Sequence, residues 1–184
     1  MSELAHSSQL RAAQWRWALF LVPLVVVLGF VSGQLAGSAP NSPWLDSLRK
    51  PAFYPPTIAF PVAWTILYAL MGLALAVVVA ARGARGRGVA IAAFIVQLLL
   101  NLAWSPLFFG AHQITLSLGL ILVLDLAVLL TILLFARVRG LAAWLMVPYF
   151  AWLLFATYLN YEFHMLNPGA DGREVSGAVT RIEL

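Results

Sequence analysis

Aromatic and amide side chains recur at helical spacing in three apolar stretches of the chain. Phe60, Trp64 and Tyr68 follow one another at four-residue steps, so they share one helix face. Two further faces are built in the same way: Gln97, Asn101, Trp104 and Phe108 form one, and Tyr149, Trp152, Ala156, Leu159 and Asn160 form the other. Amides in hydrocarbon need partners, and stacked rings add roughly 0.5–1.5 kcal/mol per pair. We therefore expect the three faces to converge on a cavity for a large, flat, mainly apolar ligand. Any single residue among them could instead serve packing alone.

Asp125 is the one acidic residue inside an apolar stretch. An intramembrane carboxylate costs at least about 2.5–3.5 kcal/mol, so it should face the interior and have a partner. It could relay protons or anchor a ligand. The alternative is a structural hydrogen bond to another helix, at Asn101 or a tryptophan N–H, and a single acid makes a poor relay.

Other site chemistries find little support. The chain has no cysteine, which excludes disulfides and thiolate metal sites. None of His6, His112 and His164 has a second ligand at helical spacing, so no metal site and no obligatory cofactor are predicted. Ser105 lies near His112, but no acid is placed to orient the histidine, and a hydrolytic site is not predicted.

The composition identifies the elements that must position these residues. Of the 184 residues, 62% are hydrophobic and only 10% are charged, whereas soluble domains have about 25% charged residues. The chain has room for five membrane-spanning helices of about 20 residues each, and lipid requires them to be helical. We predict an all-α, polytopic five-helix bundle with spans at about 17–35, 58–81, 89–110, 113–136 and 141–161. A cytoplasmic tail (1–13) precedes this domain (14–166), and a disordered tail (167–184) follows it.

The distribution of arginine and lysine predicts the orientation. The N-terminus and the two even-numbered loops together hold seven of these residues, and the opposite side holds four. The positive-inside rule places the N-terminus in the cytoplasm and the C-terminus outside. This bias favours the inner membrane of a bacterial-type cell. The orientation of the chain in the membrane is enough to explain the basic stretch from Arg82 to Gly88, so no nucleic-acid partner is predicted.

The first loop, residues 37–57, is long and contains five prolines. Proline restricts its own backbone and that of the residue before it, so the loop should be stiff. With Trp44, Phe53 and Tyr54 it can lie as a lid over the external end of the bundle.

Glycines at 29, 33 and 37 have the four-residue spacing of a close-packing ridge on the first helix. Such a ridge lets another backbone approach. Packing within the chain and contact between two copies in a homodimer are equally compatible with it.

These segments resemble the family of tryptophan-rich sensory proteins and translocator proteins, also called peripheral benzodiazepine receptors. The resemblance is carried by Trp44-Leu-Asp-Ser-Leu-Arg-Lys-Pro-Ala-Phe-Tyr-Pro-Pro56, Phe60-Pro-Val-Ala-Trp64-Thr-Ile-Leu-Tyr68, the segment from Gln97 to Gly110, Asp125, and the segment from Val147 to Tyr161. It covers all but the two ends of the chain, in order.

The resemblance implies a five-helix bundle, often dimeric, whose pocket is roofed by the first loop. It implies binding of porphyrins, notably protoporphyrin IX, and a role in tetrapyrrole transport, sequestration or sensing. Carried over by motif, the pocket residues are Trp64, Asn101, Trp104, Trp152, Ala156 and Leu159, with Trp44 in the lid.

Two departures from the family pattern qualify these expectations. Ala52 stands where relatives often have an aromatic residue, which weakens stacking from the lid. After Tyr161 the chain reads Glu-Phe-His-Met-Leu-Asn, without the Lys or Arg that the sterol-recognition pattern requires, so sterol binding by that pattern is not predicted.

Two other functions stay open. One is light- and oxygen-dependent porphyrin breakdown, with Trp64 and Trp152 as the residues implicated. The other is proton-coupled export using Asp125, which five spans disfavour, because they cannot form an even inverted pair within one chain.

Overall fold

The computed structural model describes residues 7–38 and 42–173, and side chains from residue 11 onward. Its helices are α1 (Ser7–Leu35), α2 (Pro43–Ser47), α3 (Ala59–Ala80), α4 (Arg87–Ser105), α5 (Ile114–Val138) and α6 (Gly140–Leu166). A π-helical segment, Pro106–Gly110, continues α4. The described residues contain no β-strand.

Five of these helices are long and apolar enough to cross a membrane, which confirms the predicted fold class. They are α1, α3, α4 with its π-helical segment, α5 and α6; the short α2 lies in the first loop. The last helix continues to Leu166, five residues beyond the predicted end of the span.

The helices form a ring whose order differs from their order in the chain. α1 packs on α3, α3 on α6, α6 on α5, and α5 on α4, while α4 touches α1 less extensively. The Ser32 hydroxyl donates a 2.6 Å hydrogen bond to the Leu102 carbonyl and joins α1 to α4. Gly72 permits the close approach of α3 to α1, since a Cβ there would lie 2.6 Å from the Val22 Cα.

The bundle half farther from the first loop is solid. Phe94 of α4 stacks on Phe135 of α5 with ring centroids 5.9 Å apart, and both rings are fully buried. Met71 and Met146 fill the space beside them with no exposed surface.

The tail prediction needs a correction at its start. Residues 167–173 form hydrogen-bonded turns rather than a disordered tail. Their contacts reach the first loop through Asn167 and α5 through Asp171. Apolar patterning missed this because the segment is polar and has no periodicity. Residues 174–184 lie outside the described residues, as do 1–6 and 39–41.

Candidate functional site

A cavity of about 480 Å³ lies in the bundle half that carries the first loop. The ends of α1, α4 and α6 and the beginnings of α3 and α5 meet there, because alternate spans run in opposite directions. Every one of the three predicted faces contributes to its wall. The contributing residues are Phe60, Trp64, Tyr68, Asn101, Trp104, Phe108, Trp152, Ala156, Leu159 and Asn160.

Aromatic rings form a large part of the wall around this space. Trp64 stacks on Tyr68 with centroids 5.2 Å apart, and Phe60 meets Trp152 edge-on at 6.2 Å. On the α4 side, Trp104 stacks on Phe108 at 4.9 Å. Such rings can stack on a flat apolar ligand.

The π-helical segment places Phe108 in this wall. Pro106 has no N–H to donate, and the helix widens so that Ala111 N–H bonds the Pro106 carbonyl at 2.8 Å. π-Segments of this kind often occur at functional sites. Regular helical spacing predicted Phe108 on this face but not the π-helical turn, for which the proline in the sequence was a signal.

Amide and tyrosine side chains in the wall and behind it bond to one another. The Tyr68 hydroxyl donates to Asn101 Oδ1 at 2.9 Å, and Asn101 Nδ2 donates to the Tyr149 hydroxyl at 3.0 Å. That hydroxyl in turn donates to Gln97 Oε1 at 3.2 Å. Gln97 and Tyr149 are fully buried and do not line the cavity. Their position makes them supports for the cavity residues in front of them.

A second polar link ties α4, α6 and α5 together. The Trp104 N–H donates to Asn160 Oδ1 at 3.1 Å, and Asn160 Nδ2 donates to the Ile114 carbonyl at 3.1 Å. The N–H of Trp152 is buried and has no partner among the described residues. Since Trp152 lines the cavity, its N–H is an unpaired buried donor on a residue of the cavity wall.

The first loop reaches the cavity through Tyr54, one of its predicted lid residues, but not through Trp44 or Phe53. Leu45, Tyr54 and Thr57 line it, whereas Trp44 does not. Trp44 is buried and stacks on His112 at 4.5 Å, with Phe108 edge-on at 5.4 Å. It therefore fixes the loop to the bundle. Whether the loop opens as a lid stays a prediction.

The glycines of α1 have separate environments. Gly29 and Gly33 belong to the cavity wall, and a Cβ at Gly29 would lie 2.1 Å from the Tyr68 ring. Close packing at Gly29 is thus a contact within the chain. Gly37 comes after the last residue of α1 and has a φ of +66°, so the predicted ridge does not extend to it.

Asp125 stands apart from the cavity. The Thr157 hydroxyl of α6 donates to its Oδ2 at 2.9 Å, and Asp125 is not among the cavity residues. The partner is a threonine on the neighbouring helix, not Asn101 or a tryptophan as expected. The structural alternative for this residue therefore has the better support.

No lysine, arginine, histidine, aspartate or glutamate lines the described cavity. Tyr54, at the loop edge, is a neutral phenol, since burial and the nearby Asp46 carboxylate raise its pKa. Among the described residues, no cluster of three or more His, Asp or Glu side chains could hold a metal. The site can bind by stacking, apolar contact and neutral hydrogen bonds.

Comparison with known proteins agrees with this architecture. The TspO/MBR family model matches residues 21–166. The "Tryptophan-rich protein TspO" of Chlorobaculum tepidum is 40% identical over 80% of this chain and 93% of its own length. "Protein CrtK" of Rhodobacter capsulatus is 39% identical over 68% of this chain and 79% of its own. The human "Translocator protein" is 38% identical over 70% of this chain and 78% of its own.

Proposed function

Because this chain belongs to the TspO/MBR family and is an integral multi-pass membrane protein, we propose that its cavity binds a porphyrin or a similar flat tetrapyrrole. Binding would serve transport, sequestration or sensing of the ligand. The observation that carries the proposal is the set of three indole rings, Trp64, Trp104 and Trp152, in the wall of one cavity.

The size and chemistry of the cavity suit such a ligand. Small-molecule sites typically measure about 300–1,000 Å³ and combine apolar walls with few polar groups, and this one measures about 480 Å³. The described wall carries no charged side chain, so the conjugated macrocycle would contact the rings, and the two propionate carboxylates of protoporphyrin IX would stay in water outside the cavity. The free Trp152 N–H could donate to a ligand acceptor.

Titration with protoporphyrin IX in detergent, in the dark, tests the proposal. Saturable quenching of tryptophan fluorescence is expected, and a Trp64→Phe/Trp152→Phe double variant should lose at least tenfold in affinity. The matched control is Trp144→Phe on α6, whose side chain is 74% exposed and faces away from the cavity. Equal affinity in the double variant and the control would remove the proposed site.

The same rings favour a second candidate activity, the light-dependent breakdown of bound porphyrin with dioxygen as oxidant. Trp64 and Trp152 lie in the cavity wall, where electron transfer to or from an excited ligand would be short-range. Illumination in air should then convert protoporphyrin to a new absorbing product faster than a protein-free control. Identical spectra in the two samples would reject this activity and leave the binding proposal standing.

We also propose a cytoplasmic N-terminus, an inner-membrane location and a cavity mouth on the outer side, supported by the charge bias of the loops. The cysteine-free chain permits a clean test: Phe53→Cys, in the exposed part of the first loop, should react with an impermeant maleimide added to intact cells, and Arg85→Cys should not. The reverse pattern would invert the topology. Homodimer formation stays a prediction.

A further inference from the structure

The short C-terminal segment after α6, residues 167–173, is attached to the first loop by a pair of reciprocal hydrogen bonds. The Arg49 N–H donates to Asn167 Oδ1 at 2.8 Å, and Asn167 Nδ2 donates to the Arg49 carbonyl at 3.0 Å. The Asn167 side chain thereby supplies a hydrogen-bond partner for both the backbone N–H and the backbone carbonyl of Arg49. These bonds join positions 118 residues apart in the sequence.

The same segment inserts an apolar side chain beneath the loop. Ala170 is buried in a cluster with Trp44, Leu45 and Leu48 of the first loop. The cluster also contains Phe108 of the π-helical segment, Ile114 at the beginning of α5 and Phe163 near the end of α6. Moving the segment away would expose apolar surface on the loop as well as on the bundle.

A third attachment lies at the beginning of α5, which has no side-chain cap of its own. Asp171 Oδ1 accepts the N–H groups of Ile114 at 2.6 Å and Thr115 at 3.1 Å. Its Oδ2 accepts the Thr115 hydroxyl. A carboxylate at a helix N-terminus satisfies N–H groups that have no partner within the helix. The Gly172 N–H also donates to the His112 carbonyl, at 2.9 Å.

These three attachments determine where part of the cavity wall lies. Leu45 and Tyr54 of the first loop line the cavity, and Arg49, which Asn167 holds, lies between them in the sequence. Since Asp171 fixes the other end of the segment to α5, the loop is tied to the transmembrane bundle through Asn167.

We propose that residues 167–173 are a positioning element that holds the first loop over the cavity and sets the rate at which ligand enters and leaves. This rests on the proposed function, since it concerns exchange at the same site. Asn167 is the positioning residue for the loop, and Asp171 anchors the segment to α5. Neither touches the cavity.

A ligand-free measurement tests the mechanical part. Leu48→Cys places a single thiol at a buried loop position outside the cavity wall. Adding Asn167→Ala should raise the rate of its reaction with a polar maleimide by about tenfold, which corresponds to about 1.4 kcal/mol. Met165→Ala, an exposed change near the end of α6, is the control and should leave the rate unchanged.

Stopped-flow release of protoporphyrin IX tests the functional part. Asn167→Ala should accelerate both association and dissociation by about tenfold, with a much smaller change in equilibrium affinity. Asn167→Asp keeps the acceptor for the Arg49 N–H and loses the donor, so it should fall between wild type and Asn167→Ala. A purely structural role would instead lower affinity without this paired change in the two rates.

A cross-link tests the same idea in the opposite direction. In an Arg49→Cys/Asn167→Cys variant of the cysteine-free chain, oxidation should slow porphyrin release at least tenfold relative to the same protein after reduction. This comparison does not depend on whether Asn167→Ala folds.

The outcomes separate the two proposals. Normal porphyrin binding with unchanged release rates in Asn167→Ala and in the oxidised double-cysteine variant would overturn the positioning role alone. Faster thiol labelling in Asn167→Ala together with no saturable binding by the wild type would overturn the proposed function and, with it, the role in ligand exchange.

Discussion

The two halves of this bundle are built from the same five spans, but one half is packed with buried side chains and the other contains a cavity. Away from the first loop, Phe94, Phe135, Met71 and Met146 interdigitate with no exposed surface. On the loop side the same helices enclose about 480 Å³, and their polar side chains bond to each other, as Asn101 does to Tyr68 and Tyr149.

The difference shows how a small membrane protein can contain a cavity and remain stable. Packing in the solid half supplies dispersion contacts, while the hollow half relies on hydrogen bonds and on a loop held from outside by residues 167–173. In a membrane, a polar group without a partner is costly, so the amides that support the cavity also tie its walls together.

The largest effect is expected from a cavity made in the solid half. Phe94→Ala should destabilise the protein by about 3–5 kcal/mol, because a stacked, fully buried ring is lost. Unfolding in mixed micelles measures this, with Ile95→Ala on the lipid-facing side of the same helix, 50% exposed, as the control. A cost no greater than that of the control would show that this half is not close-packed.

A smaller effect is expected from the polar network of the hollow half. Asn101→Leu should cost about 1–2 kcal/mol, because the Tyr68 hydroxyl loses its acceptor and Tyr149 loses a donor. Ser105→Ala, in the same cavity wall, should cost much less, as no hydrogen bond joins the Ser105 hydroxyl to another described side chain. Equal costs for the two variants would argue that the network contributes little stability.

The smallest effect is expected from protonation of Asp171, the carboxylate that anchors residues 167–173 to α5. Burial opposes ionisation of Asp171, but the hydrogen bonds from Thr115 and Ile114 and the nearby His164 outweigh it and lower the pKa of this carboxyl below 3.8. A depressed carboxyl pKa stabilises the folded state above the unfolded-state pKa, and this contribution disappears as pH falls through the folded-state pKa.

The melting temperature of wild type should therefore exceed that of Asp171→Asn by a few degrees at pH 7, and the gap should narrow as the pH is lowered to about 3. Asp46→Asn, which removes only an exposed ion pair with Lys50, is the control for general charge effects. A gap that is the same at both pH values would contradict the assigned role of the carboxylate.

Composition predicted the five-span fold, and helical periodicity predicted ten residues of the cavity wall for a physical reason. Lipid requires each span to be helical, so spacing alone determines which side chains share a face. Spacing identified four residues that line the cavity: Trp64, Asn101, Trp104 and Trp152.

The features that spacing could not predict lie where the backbone is irregular or the contact is long-range. Regular spacing placed Phe108 on the cavity face, but it could not predict the π-helical turn at Pro106 that carries this residue. Asp171 accepts hydrogen bonds from N–H groups of α5 that lie more than fifty positions earlier in the sequence. Trp44 was assigned to the lid by its loop position and its motif, whereas the ring that it stacks on, His112, belongs to the loop before α5.

Filling the hollow tests the central claim most directly. Ala156 lines the cavity and Ala142 is fully buried in the solid half of the same helix. Ala156→Phe should abolish saturable quenching by protoporphyrin IX while the melting temperature stays near that of wild type. Ala142→Phe should lower the melting temperature sharply, because no space exists for the ring. If Ala156→Phe instead destabilises the protein as much as Ala142→Phe and leaves porphyrin affinity unchanged, the loop-side half is not the hollow that binds the ligand.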